Sequence, residues 1–180
     1  ARMLYDFYEK GSAPADRSHN SGKTLPTDWV IGFRWCNYRW PGETLPSKEA
    51  LDKYFPDRPV IAFNNELHAV WVNSKTMELC GIDKDTPTPQ GGIIERDENG
   101  EPTGFFLEQP AMEMVTRKAL DASPELEDKM IKIFMDVAHS KGITSVGAVH
   151  VMRIMKHKAC RRLENRGELK MRVFFAPHME

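Results

Sequence analysis

The sequence has almost no excess of charge of either sign and no long apolar run. Its 180 residues include 25 Lys and Arg against 26 Asp and Glu, so the formal net charge is -1. This balance disfavours a strongly basic nucleic-acid-binding protein. No apolar stretch approaches the roughly 18 residues of a membrane-spanning helix, and the first ten residues lack the apolar core of a signal peptide. We therefore expect neither nucleic acid nor a membrane as a partner.

Cysteine is scarce, with Cys36, Cys80 and Cys160 spread widely along the chain. An odd number at such spacings fits reduced thiols in an intracellular protein better than a disulfide framework or a zinc cluster. The cysteine content therefore predicts a cytoplasmic location.

The common catalytic motifs are also missing. The sequence has no G-x-S-x-G elbow, no P-loop and no G-x-G-x-x-G after a strand. Its six histidines include no H-x-H and no H-E-x-x-H pair, so a self-contained metal site has no support from spacing. Serine hydrolases, nucleotide triphosphatases and dinucleotide-binding enzymes thus lose their main sequence evidence.

Turn-forming residues and apolar runs divide the chain into segments. Residues 9–28 are polar and rich in Gly, Ser and Pro, which predicts a mobile surface loop. Arg58–Phe63 is an apolar run of the kind that is buried in a parallel sheet. Residues 91–108 predict a β-hairpin, because Asn99 and Gly100 supply the positive φ angles that a tight primed turn requires.

Helices are predicted between the strands. Ser123 and Pro124 begin the longest one, whose apolar stripe consists of Leu126, Met130, Phe134, Val137 and Ala138. A helix over Met152–Asn165 follows a short strand at Ile143–Val149 and precedes another at Leu169–Phe175. Alternating strands and helices, with one inserted hairpin, predict an α/β fold with a mainly parallel sheet.

Two polar side chains follow predicted strands, at the positions where α/β folds place their ligand sites. His68 comes shortly after Arg58–Phe63, and Glu108 ends the apolar strand TGFFL. Both also admit a simpler interpretation, in which His68 belongs to a cap of the strand end and Glu108 caps the helix beginning near Pro110. Trp35 is likewise more typical of a core or an interface than of a substrate platform.

Five segments carry further residue patterns in a fixed order. They are DWVIGFRWCNYRW at 28, PDRPVIAFNNELHAVWVNSKTMELCGID at 56, TPTPQGGIIERDENGEPTGFFLEQPAMEMV at 86, GITSV at 142 and GELKMRVFF at 167. The most specific pattern is H-x-x-W-x-N-S, formed by His68, Trp71, Asn73 and Ser74, followed by Gly-Gly, Asn-Gly and P-T-G-x-x-x-E. Together they resemble the branch of the metal-dependent amidohydrolases that includes N-substituted formamide deformylase and the YtcJ-like hydrolases.

The resemblance implies a (β/α)8 TIM barrel of the metal-dependent hydrolase type, here partial and with the hairpin at 91–108 inserted. It also implies hydrolysis of a carbon–nitrogen bond in a small-molecule amide or formamide that is not a peptide. A divalent metal, commonly zinc, would lower the pKa of bound water toward about 7. Glu108 would be a metal-bridging carboxylate. The substrate contacts would be His68, Trp71, Asn73 and Trp35, with no catalytic acid or base assigned.

The family's H-x-H pair and its later His and Asp residues have no counterpart here, so residues 1–180 look like an internal part of a catalytic barrel. We expect the isolated chain to be inactive and to bind no stoichiometric zinc. Its partner would be the remaining part of the barrel. Open sheet edges and apolar helix faces would favour a homo-oligomer. The alternative is a non-catalytic α/β module that binds a small molecule.

Overall fold

A computed structural model describes residues 1–2, 4–5, 29–40, 42, 44–148 and 157–175. The chain divides into two compact units. Of the described residues, those up to Ala119 form the first unit and those from Leu120 onward form the second. The loop predicted over 9–28 lies outside the described residues. Within the described ranges, no helix combines the length and the apolar character needed to cross a bilayer.

The first unit is built on a five-stranded sheet. Its strands are β1 (Val30–Trp35), β2 (Val60–Asn64), β3 (Ala69–Val72), β4 (Ile93–Arg96) and β5 (Pro102–Leu107), and its helices are α1 (Lys48–Asp52), α2 (Ser74–Cys80) and α3 (Glu108–Ala119). The strand order is β1-β2-β3-β5-β4. Only β1 and β2 are parallel, and the other three neighbouring pairs are antiparallel. The expectation of a mainly parallel sheet is therefore wrong for this unit.

The apolar run of β2 explains its central place. Val60, Ile61 and Phe63 are fully buried, so the strand is covered on both faces. Val60 belongs to a core cluster that also contains Leu51 of α1 and Trp71 of β3. The helix α1 thus lies in the crossover connection between the two parallel strands, β1 and β2, and packs on the sheet.

The segment with the expected hairpin forms β4 and β5, which pair antiparallel. Its turn differs from the predicted one, because Gly100 has a φ of 82° while Asn99 is not left-handed. Asp97 N donates to Glu101 O, and Gly100 N donates to Asp97 O. The connection is therefore a longer loop with one left-handed residue rather than a two-residue primed turn. The side chain of Asp97 stabilises this loop, because its Oδ1 accepts from the backbone N of Asn99 and of Glu101.

The second unit consists of α4 (Pro124–Ser140), β6 (Ser145–Ala148), α5 (His157–Asn165) and β7 (Arg172–Phe175). Strands β6 and β7 pair in parallel. Its buried core is Ile131, Met135, Ala138, Ala159, Cys160, Leu163 and Met171. Of the predicted stripe of α4 only Ala138 is buried, because this helix carries apolar residues on two faces and Phe134 and Val137 are 41% and 58% exposed. The described strands thus form two open sheets, and neither closes into a barrel.

Gly104 is required by close contact between β5 and its neighbours. A Cβ at this position would overlap the carbonyl oxygen of Val72, and its φ is 90°. We predict that Gly104→Ala lowers the free energy of unfolding by about 2 to 5 kcal/mol, from strain and overpacking together. Gly100→Ala is the matched control, since Gly100 is also left-handed but has no atom near its Cβ position. It should cost only about 1 to 2 kcal/mol in the same denaturant titration, and equal losses would contradict the steric argument.

Candidate functional site

Several strand ends meet at one edge of the five-stranded sheet. Trp35 at the end of β1 pairs with Asn64 at the end of β2. At the same edge β3 begins and β5 ends, because Ala69 pairs with Leu107. Side chains that follow these strands therefore share one edge of the sheet. We call the residues at these strand ends, 34–38, 64–68 and 107–108, the edge site.

Backbone strain is concentrated at the edge site. Within the described ranges, only three residues other than glycine have positive φ: Arg34 at 71°, Leu67 at 62° and Glu108 at 62°. Each lies within two residues of a strand end at this edge. A left-handed backbone costs an L-residue roughly 1 to 2 kcal/mol. Strain of this kind gathers at functional sites, where the surrounding structure maintains it.

His68 and Glu108 are brought together at the edge site. The Nδ1 atom of His68 lies 3.1 Å from Oε2 of Glu108, and the backbone N of Glu108 donates to the carbonyl oxygen of His68 at 2.9 Å. Their side chains are 69% and 51% exposed. An exposed pair of this kind contributes only about 0 to 1 kcal/mol to stability. The pair is thus accessible to a ligand and has little importance for the fold.

Asn64 holds the turn that carries His68. Its Oδ1 atom accepts hydrogen bonds from the backbone N of His68 at 3.0 Å and of Ala69 at 3.1 Å. Its carbonyl oxygen accepts from the N of Leu67, the left-handed residue of the turn. The sequence indicates polar residues here but not this particular role.

Tyr38 lies beside the same edge, and no sequence pattern indicates it as a site residue. The Nδ2 atom of Asn65 donates to the Tyr38 hydroxyl at 3.0 Å. Contact with the Cys36 thiol raises the pKa of the Tyr38 phenol above its ordinary value, and the Asn65 hydrogen bond opposes this effect. The phenol therefore stays protonated at neutral pH and can donate a hydrogen bond.

Trp35 and Trp71 line an apolar cavity of about 540 Å³ that reaches the edge site at Cys36. The bulge at Arg34 shifts the register of β1 and places Trp35 edge-on to Trp71, with ring centroids 6.1 Å apart. Trp35 Nε1 donates to the carbonyl of Ala62, and Trp71 Nε1 donates to that of Ser47. Both indole N–H groups are satisfied within the protein, so the rings offer apolar surface to the cavity.

Asn73 lies apart from this edge and is completely buried. Its Oδ1 accepts from the backbone N of Val60 and from both the N and Oγ1 of Thr76, while its Nδ2 donates to the carbonyls of Phe55 and Arg58. These five hydrogen bonds account for the side chain as the N-cap of α2 without any ligand. The substrate role expected for Asn73 stays a prediction, and these contacts do not support it.

The edge site supplies part of a metal site. His68 and Glu108 present an imidazole nitrogen and a carboxylate oxygen, which are both common metal ligands. No group of three or more His, Cys, Asp or Glu side chains able to hold a metal occurs in the described part of the chain. A catalytic zinc site takes three protein ligands and keeps one position open. Glu108 therefore fits a metal only if other ligands come from outside the described residues.

A family model described as the Amidohydrolase family matches residues 13–180. The chain belongs to the amidohydrolase family. This confirms the resemblance noted in its sequence segments. The match also covers both β2 and β5, so the His68 and Glu108 segments lie within the family's region.

Two relatives with similar sequences illustrate the branch. The Bacillus subtilis protein named amidohydrolase YtcJ is 34% identical over 123 residues, which are 68% of this chain and 23% of that protein. N-substituted formamide deformylase from Arthrobacter pascens is 32% identical over 129 residues, again 68% of this chain and 23% of the relative. The chain thus spans about a quarter of the length of these relatives.

Solved structures with a similar fold are two uncharacterised metal-dependent hydrolases. The Pyrococcus horikoshii OT3 protein has a TM-score of 0.55 at 23% identity, and the match covers 82% of this chain and 28% of that one. The Pyrococcus furiosus protein has a TM-score of 0.52 at 27% identity with the same coverage. The fold therefore resembles part of the fold of these two hydrolases, although the described strands do not close a barrel.

Proposed function

We propose that this chain is part of a metal-dependent amidohydrolase that cleaves a carbon–nitrogen bond in a small-molecule amide or formamide other than a peptide. The supporting observation is the exposed His68–Glu108 pair at a strained sheet edge, in a chain of the amidohydrolase family. The larger enzyme would be a (β/α)8 barrel. Its remaining metal ligands would come from residues outside the described ones.

In this proposal Glu108 holds a divalent metal, most simply zinc. A metal held there would lower the pKa of a water molecule and so make hydroxide available at neutral pH. The side chain of His68 contacts the amide group of the substrate next to that carboxylate. The cavity lined by Trp35 and Trp71 receives the apolar part of the substrate, since it offers ring surfaces and no unpaired polar group from either indole.

The test uses the natural full-length polypeptide that contains these 180 residues. We expect it to hydrolyse members of a panel of N-acyl amines and N-substituted formamides, to lose turnover after chelation, and to recover it with Zn²⁺. Metal analysis of the purified protein checks stoichiometry. Substrate binding without turnover in the metal-loaded protein would favour the alternative, a non-catalytic module that binds a small molecule.

His68 gives a sharper prediction within this proposal. We predict that His68→Asn raises KM or lowers kcat while the metal content stays near that of the wild type, because His68 is assigned to the substrate and Glu108 to the metal. Metal analysis and steady-state kinetics on the same preparation separate these effects. A large loss of bound metal in this variant would instead make His68 a metal ligand.

A further inference from the structure

The turn between β2 and β3 depends on one side chain. Asn64 ends β2, and its Oδ1 atom is the acceptor for two successive backbone N–H groups, those of His68 and Ala69. The turn also contains Leu67 in a left-handed conformation, which a leucine rarely adopts. A side-chain oxygen that accepts from two backbone N–H groups stabilises such a conformation, because both N–H groups would lose this acceptor if the turn changed its conformation.

The conformation of this turn decides where the imidazole of His68 lies. His68 is exposed, and its ring has one described side-chain partner, the Glu108 carboxylate at 3.1 Å. Because 69% of its side chain is exposed, the position of the ring depends on the backbone of the turn and on this contact. The backbone at His68 is in turn fixed by Asn64 on one side and by the bond from Glu108 N to His68 O on the other.

We infer that Asn64 is a positioning residue that acts through His68, holding the imidazole beside Glu108 for contact with the substrate. This inference rests on the proposed function of the edge site. Asn64 itself need not touch the substrate, since both bonds of its Oδ1 go to the backbone of the turn.

The experiment is a double-variant cycle in the full-length, metal-loaded protein. Asn64→Ala should lower kcat/KM by about 100-fold, the loss typical of a misplaced catalytic-site group. In the His68→Asn background, Asn64→Ala should have almost no further effect on kcat/KM, because Asn64 acts on the reaction only through His68. Asn64→Asp retains an acceptor oxygen and should restore most of the activity. Additive losses, or no rescue by aspartate, would overturn the inference.

A second readout does not depend on turnover. Hydrogen–deuterium exchange should accelerate at the His68 and Ala69 amides in Asn64→Ala, and the crystal structure of this variant should lose the His68–Glu108 contact. Unchanged exchange and an intact contact would overturn the inference even if activity fell. If the wild type has no turnover, the proposed function fails, but exchange and the contact still test the positioning. Asn99→Ala, in the turn at the opposite edge of the sheet, is the control and should match the wild type in every readout.

Discussion

Replacing Asn73 with alanine is expected to destabilise the first unit by about 3 to 5 kcal/mol. The buried amide makes five hydrogen bonds that connect the loop before β2, the first residue of β2 and the first turn of α2. Alanine would leave buried N–H and C=O groups without partners, and each such group costs about 1 to 3 kcal/mol where water cannot replace the bond. The loss of the N-cap adds about 1 kcal/mol.

Denaturant titration with circular dichroism measures this loss. Asn65→Ala is the matched control, because Asn65 is an exposed asparagine that donates to Tyr38, and its replacement should change stability by about 0.5 kcal/mol or less. Near-wild-type stability of Asn73→Ala would instead support the substrate role predicted for Asn73. In that case Asn73→Ala would unfold close to the wild-type midpoint, while the full-length protein would lose affinity for substrate.

The sequence predicts best where a pattern is local. The apolar run at Arg58–Phe63 covers all of β2, Val60–Asn64, except its last residue, because a short uninterrupted apolar stretch is typical of a buried strand. Ser123 and Pro124 start α4 as expected, since the side chain of Ser123 accepts from the N of Leu126 and proline suits the first turn. Such signals need no knowledge of the rest of the fold.

Pairing between distant segments could not be predicted in the same way. The four residues of β3, Ala69–Val72, look like a continuation of a polar loop because asparagines precede them, yet β5 pairs with them from more than thirty residues away. This short strand turns a sheet expected to be parallel into a mixed one. For α4, two apolar faces exist, and periodicity alone cannot decide which of them meets the core.

The candidate site shows the same division. Strand ends mark His68 and Glu108 as candidates, but their contact depends on the pairing of β3 with β5. The role of Asn64 depends on a left-handed Leu67 that no local propensity indicates, since leucine disfavours this conformation. Asn73 resembles a family motif residue and is nevertheless explained by its buried hydrogen bonds. A motif therefore identifies the segment, and three-dimensional contacts assign each side chain its role.

The largest effect on the proposed activity is expected from Glu108→Gln in the full-length polypeptide. Glutamine keeps the shape of the side chain but removes the negative charge that binds a divalent cation. Metal content and turnover should both fall, and by more than the roughly 10- to 100-fold that the loss of an outer partner of a metal ligand causes. Glutamate and glutamine experience the same backbone strain at the positive φ of position 108, so the substitution does not change this strain. Metal analysis and kinetics at saturating Zn²⁺ provide the two measurements.

Glu98→Gln is the control, because Glu98 is exposed in the turn between β4 and β5 at the opposite edge and its replacement should leave both quantities unchanged. The competing explanation is that Glu108 only stabilises the first turn of α3, where an acidic side chain favours the helix dipole. That role contributes about 0.3 to 1 kcal/mol. It predicts a slightly lower midpoint of unfolding for Glu108→Gln, with wild-type metal content and turnover. Equal metal content in the two proteins would therefore remove Glu108 from the metal site, whereas a joint loss of metal and turnover at a nearly unchanged melting temperature would place it there.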